Sequence, residues 1–255
     1  MLAEWTAECA AEAPTLVVPW HDEASGLRFI DLRSDPWNIA EIGETELYPE
    51  LGRALRSLNA PRSPLLTAKC DAWQLAFPEQ QEELLQLALE LDSDPHETRF
   101  GFSCYIDCLW RDRGLFASAH RQQMMLDRVT RRMERLHYPQ CAVACVLRPA
   151  VLDLAGTLEG FAFTLYLRSA ADTADTARSE WGHALDDVTT ILRDRSLSPQ
   201  RSATIDSADA FPLRVRHMSP SEEAARSSSD STINKGQVSP DAGARSTPGA
   251  SSSTG

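Results

Sequence analysis

From residue 100 onward, apolar and polar side chains alternate one by one. Phe102, Cys104, Ile106, Cys108 and Trp110 take one parity, and Ser103, Tyr105, Asp107, Leu109 and Arg111 take the other. A period of two predicts a long, half-buried strand over 100–110. The same pattern over 65–75 sets Leu66, Ala68, Cys70 and Ala72 against Thr67, Lys69, Asp71 and Trp73. Shorter strands are expected over 27–32, 141–148 and 160–168.

Helical spacing fills the gaps. Leu51, Leu55 and Leu58 share one face of a helix over 49–58, with Pro49 acceptable in its first turn. A helix over 78–91 carries leucines at 84, 85, 87, 89 and 91, more than one stripe can hold, which predicts a well-buried helix. Ser118 is placed to cap a helix running to residue 136, and 174–195 predicts a last helix.

The order from residue 100 is therefore strand, helix, strand, strand, helix. That is most of a βαββαβ split unit, with one further strand to come from the N-terminal half. Phe29-Ile30-Asp31 and Tyr105-Ile106-Asp107 each open such a stretch, which hints at a duplication. The expected fold is α+β: a mostly antiparallel sheet with helices on one face, built on a ferredoxin-like βαββα unit. A three-layer α/β sheet is the alternative.

Three regions are expected. Residues 1–25 form an N-terminal extension, with a frayed helix over 1–13 and a short edge strand ended by Pro19. Residues 26–196 form the α+β domain. Residues 197–255 contain 14 Ser, 5 Pro, 4 Gly and one aromatic, Phe211, too little apolar surface to offset the entropy of ordering, so a disordered tail is expected. Within it, 210–216 alternates apolar and basic side chains and could add to a sheet edge.

Charge narrows the partners. The net charge is −12 and the pI about 4.9, which opposes attraction to phosphate backbones and anionic lipid, so neither nucleic acid nor membrane is expected as a partner. The balance is uneven: residues 1–95 hold 6 basic and 18 acidic side chains, and 96–150 hold 9 and 5. An acidic N-terminus unlike a secretory signal, with no apolar run of membrane-spanning length, predicts a cytoplasmic protein whose six cysteines are reduced thiols, mostly small core residues.

Familiar catalytic patterns are missing. Cys104-x-x-x-Cys108 and Cys141-x-x-x-Cys145 look like a zinc shell, but on strands positions four apart lie roughly 13 Å from each other, too far for one metal. No His-x-x-x-His, glycine-rich phosphate loop or Gly-x-Ser-x-Gly is present. No metal and no cofactor are expected, and no motif ties the chain to a family.

Two surfaces are candidates. On the predicted helix from Ser118, Arg121, Arg128, Arg131, Arg132 and Arg135 fill one stripe that could hold an anion, since guanidinium forks suit carboxylate and phosphate. The polar side of the sheet gathers Lys69, Asp71, Tyr105, Asp107, Arg111, Tyr166 and Arg168, a set able to hydrogen-bond a peptide or a small ligand. The sequence thus points to a cytosolic, non-catalytic module that binds a protein or peptide. The rival is a small-metabolite enzyme with Asp107 or Asp71 as base, Tyr105 or Tyr166 as acid, and Arg111 or Arg168 holding a carboxylate.

Overall fold

A computed structural model describes residues 1–194 and Ser196. These belong to the first of two compact units, 1–211; the second, 212–255, lies outside the described residues, as do the expected tail and its 210–216 segment.

The sheet is mixed and mostly antiparallel, with six strands. They are β1 (Leu2–Ala7), β2 (Leu16–Val18), β3 (Leu65–Ala76), β4 (Phe100–Trp110), β5 (Cys141–Asp153) and β6 (Thr157–Ala171). The order across the sheet is β1, β5, β6, β4, β3, with β2 also on β5. The short strands β1 and β2 run end to end, both parallel to β5, while all other pairs are antiparallel. Residues 1–13 therefore supply an edge strand instead of the expected helix. Alternating exposure in β1, with Ala3 buried and Glu4 exposed, suits a half-covered edge better than a helix stripe.

Residues 27–32 form no strand. Only an isolated bridge joins Arg28 to His21, and a bidentate pair between Arg33 and Asp31 at 2.8 and 2.9 Å turns the chain away. Phe29-Ile30-Asp31 and Tyr105-Ile106-Asp107 consequently do not occupy equivalent places.

The helices are α1 (Glu44–Leu47), α2 (Pro49–Asn59), α3 (Gln81–Glu90), α4 (Arg113–Phe116), α5 (Ala119–Met133) and α6 (Ala174–Leu192), with a 3₁₀ turn at Pro36–Glu41. Their starts follow from local chemistry: Ser118 accepts from the Arg121 amide and Thr173 from that of Thr176, satisfying N–H groups that the first turn leaves unpaired.

Helices α2, α5 and α6 cover one sheet face. Even positions of β4 and odd positions of β5 and β6 point there, so Phe102, Cys104, Ile106, Cys108, Cys141, Val143, Cys145, Phe163 and Leu165 form the core with Leu51, Leu55, Met125, Val129, Trp181 and Leu185. Trp181 stacks on Phe102 at 5.9 Å, and Tyr48 meets both rings edge-on at 6.0 Å.

Helices are not confined to that face. On the other, α3 packs Leu84 and Leu87 against Leu75, Ala142 and Ala170, while Leu85 and Leu89 stay exposed, so α3 uses one stripe and is not the well-buried helix expected. Gly101 permits this approach: a Cβ there would come within 2.6 Å of the Ser169 carbonyl and 3.2 Å of Leu84. At the far end of the same face, Phe116, Val18, Leu66, Leu109, Ala150, Leu152 and Ala162 form a second cluster. A polar strip remains between the two covers.

Leu66 and Thr67 are on the faces opposite to those expected. The β3–β4 register shifts between Thr67 and Cys70, so two residues of β3 stand against Asp107 alone. This bulge inverts the parity: Leu65 and Thr67 face the helices before it, Cys70 and Ala72 after it. Thr67 consequently bonds Asn59 of α2 through both its amide, at 3.0 Å, and its hydroxyl, at 2.6 Å.

Candidate functional site

Strand register lays the polar strip out in rows. One runs Asp71, Tyr105, Tyr166, Ala144 and Glu4 across β3, β4, β6, β5 and β1. The next runs Trp73, Ser103, Arg168, Ala142 and Leu2. On the other side, Asp107 pairs with Thr164, which pairs with Val146 and then Thr6. Of the sequence-predicted residues, Asp71, Tyr105, Asp107, Tyr166 and Arg168 therefore share one surface, because paired residues of neighbouring strands point the same way.

Lys69 stands at the bulge with its ammonium 5.2 Å from the Trp20 ring centroid, a cation–π contact at the rim. The Trp20 indole is fixed by donating to the Ala68 carbonyl at 3.0 Å.

Arg111 is elsewhere. One residue past β4, its Nε donates to the Leu65 carbonyl at 2.8 Å and its Nη2 to the Asn59 carbonyl at 3.0 Å, deep in the protein. It ties the end of α2 to the start of β3, and it takes no part in the surface set.

The rings of Trp73, Tyr105 and Tyr166 form a tilted row, with centroids 6.4 and 6.3 Å apart. All three are half-buried. Burial, with Asp71 and Asp107 nearby, pushes the Tyr105 hydroxyl well above its ordinary value, so it holds its proton throughout the physiological range.

Asp107 is 4% exposed and accepts a hydrogen bond from Thr164 Oγ1 at 2.7 Å. Burial raises its pKa, against the opposing pull of the Thr164 hydroxyl, Arg148 and Lys69. Thr164 Oγ1 accepts in turn from Arg148 Nη1 at 3.1 Å, and Arg148 Nε donates to Glu8 at 2.9 Å, so one chain of bonds crosses from β1's end to β4. Arg168 Nη2 meets Glu90 of α3 at 2.6 Å.

Arg148, Glu8, Glu90 and Trp20 are members the sequence reading did not name. Arg148 was within reach, since Cys141, Val143 and Cys145 fix the apolar parity of β5 and leave Arg148 on the other side. Glu8, Glu90 and Trp20 arrive from segments whose position no local pattern encodes.

Arg111 faces inward, and the groove of about 520 Å³ beside α3 is lined by Glu79, Gln80, Glu82, Glu83, Gln86 and Arg168, without Asp71, Tyr105 or Asp107. Cys104, Cys108, Cys141 and Cys145 lie in the core, where burial pushes the thiols of Cys104 and Cys145 up to about 12.

Arg121, Arg128, Arg131 and Arg132 lie on α5, whereas the helix ends at Met133 and Arg135 stands in the turn beyond it. Arg131 pairs with Asp127 and Arg132 with Asp194, while Arg121, Arg128 and Arg135 make no ion pair among the described residues. None of the five meets an acid from the first 95 residues within the described set. No helix of the described residues is long and apolar enough to cross a membrane.

Comparison with protein-family models, curated proteins and solved structures finds no match to this chain.

Proposed function

We propose that this chain is a non-catalytic cytosolic module that binds an extended segment of a partner polypeptide on the polar strip between α3 and the Phe116 cluster. The observation that carries this reading is the cross-strand row of half-buried Trp73, Tyr105 and Tyr166 rings, set among hydrogen-bonding groups on the strip left between the two covers of that face. Aromatic side chains with polar tips supply contact area at low entropic cost, which suits recognition of a polypeptide better than turnover of a small substrate. An acidic strip also disfavours nucleic acid. Six free cysteines, four of them sharing one core, support a reducing compartment.

The scaffold reads as a variant of the ferredoxin-like unit. In that reading β4, α5, β5, β6 and α6 form the split βαββα stretch, and β3, beside β4, supplies the remaining strand from the N-terminal side.

The test is selection from a displayed random heptapeptide library on the full chain, repeated with Ala144→Arg, which places bulk in the central row, and with Arg128→Ala on α5. Recovered peptides should lose about tenfold or more in affinity for Ala144→Arg and bind Arg128→Ala unchanged, as expected when a central contact surface is blocked. Recovery of no peptide, or of peptides indifferent to Ala144→Arg, would remove the proposal.

A further inference from the structure

The charges on the strip are unequally satisfied. Its two guanidiniums are already engaged: Arg148 with Glu8 at 2.9 Å and Arg168 with Glu90 at 2.6 Å. Lys69 rests over Trp20. The two central carboxylates have no such partner. Asp71 Oδ1 accepts only from the adjacent Ala72 amide at 2.7 Å, and Asp107 Oδ1 from the Thr164 hydroxyl, and neither aspartate forms an ion pair among the described residues. Arg148 reaches Asp107 through the bridging Thr164 hydroxyl, and Lys69 acts on it through space.

Those carboxylates flank a single ring. Asp71 is the register partner of Tyr105, Asp107 is two residues along the same strand, and both act on the Tyr105 hydroxyl. Tyr105 lies between Trp73 and Tyr166, whose faces carry the negative part of the ring quadrupole. Ala144 is the small register neighbour of Tyr166 on β5, and Arg148 Nη1 donates to the Tyr166 hydroxyl at 3.4 Å. Ser103, next to Tyr105 by alternation and partnered in register with Trp73 and Arg168, has a buried hydroxyl with no hydrogen-bond partner among the described residues. Counting the rows and their edges, Glu4, Glu8, Asp71, Glu90 and Asp107 stand against Lys69, Arg148 and Arg168. The strip is therefore net acidic around its aromatic row, and neither central carboxylate has a direct ion-pair partner among the described residues.

Resting on the binding reading above, we infer that the strip recognises a cationic side chain, lysine or arginine, of the bound segment, seated between Asp71, Asp107 and the Trp73–Tyr105–Tyr166 row. Carboxylates supply charge-assisted acceptors and the rings supply cation–π faces, a combination that selects for an organic cation over an apolar or acidic group. The ammonium of Lys69 over Trp20 shows the same chemistry at the edge of the surface.

The test uses peptides recovered in the selection above. Those sensitive to Ala144→Arg should share one lysine or arginine. Replacing it by citrulline or norleucine should weaken binding about tenfold or more, as should Asp71→Asn, a half-exposed site where the fold is not at stake. Asp107→Asn should do the same while retaining the wild-type circular dichroism spectrum. Peptides that depend on Ala144 without sharing a basic residue would overturn this inference and leave the binding function standing. Peptides with a shared basic residue but unchanged affinity for Asp71→Asn and Asp107→Asn would overturn it too. Equal occupancy by arginine methyl ester, in direct competition, would replace the polypeptide with a small cation and overturn it. Absence of any Ala144-dependent peptide would overturn both readings.

Discussion

Thr164 donates its hydroxyl to the buried carboxylate of Asp107 across the β4–β6 ladder at 2.7 Å, and the same oxygen accepts from Arg148. Thr164→Val keeps the shape and the β-branching while removing the donor, leaving a buried carboxylate short of a partner. Urea unfolding should show a loss of about 1.5–3 kcal/mol, the range for hydrogen bonds to charged groups. An unchanged midpoint would mean that Asp107 is solvated and not held by Thr164.

The raised pKa of Asp107 sets the sign of a pH effect. A carboxyl that holds its proton more tightly folded than unfolded makes folding less favourable as pH rises from the ordinary carboxylate range through its native value. Asp107→Asn lacks that ionisation. The stability of the wild type relative to Asp107→Asn should therefore improve on acidification and level off once pH exceeds the native pKa. Paired urea titrations between about pH 4 and pH 8 read this difference directly. A wild-type advantage that grew with pH would contradict the assigned burial.

Gly160 is where Phe116 crosses the sheet. A Cβ at that position would stand 2.4 Å from the Phe116 carbonyl oxygen and 2.6 Å from its ring. Gly160→Ala should cost about 1–3 kcal/mol, as overpacking does. Gly43, with nothing within 4 Å and helical backbone angles, is the control; Gly43→Ala should be stabilising by about 0.4–1 kcal/mol. Comparable melting temperatures for the two variants would show that α4 does not pack where described.

Thiol accessibility separates the cysteines. Cys9 is exposed and Cys70 half-buried, whereas Cys104, Cys108, Cys141 and Cys145 are enclosed, with burial raising their pKa. Alkylation of the native chain followed by mass mapping should label Cys9 first. The four core thiols should react only at the rate of global unfolding. Rapid native labelling of Cys104 or Cys145 would place those strands differently.

Much of the strip was readable because β4 obeys an undisturbed alternation whose two faces differ sharply in polarity. Tyr105, Asp107 and, by register, Tyr166 and Arg168 followed from it. Lys69 and Asp71 were grouped by the same rule, yet β3 contains a bulge at that point, and an inserted residue leaves no trace in a two-letter pattern. Arg111 kept the parity of β4 in sequence but lies one residue beyond the strand, where two unpaired backbone carbonyls draw its guanidinium inward.

The sequence by itself determined the long elements, from α2 to α6 with the strands between, since local hydrophobic period and capping residues act over a few neighbouring positions. It also determined that Cys104, Cys108, Cys141 and Cys145 belong to an apolar parity. Tertiary structure alone decided the parallel edge made by β1, whose partner is about 140 residues away, and the crossing of α3 to the second face. It also decided which acid neutralises which arginine: Glu8 and Glu90 reach Arg148 and Arg168 from distant segments, and Asp71 and Asp107 form no ion pair among the described residues. Such long-range choices depend on shape and charge summed over the packed chain, which no window along the sequence contains.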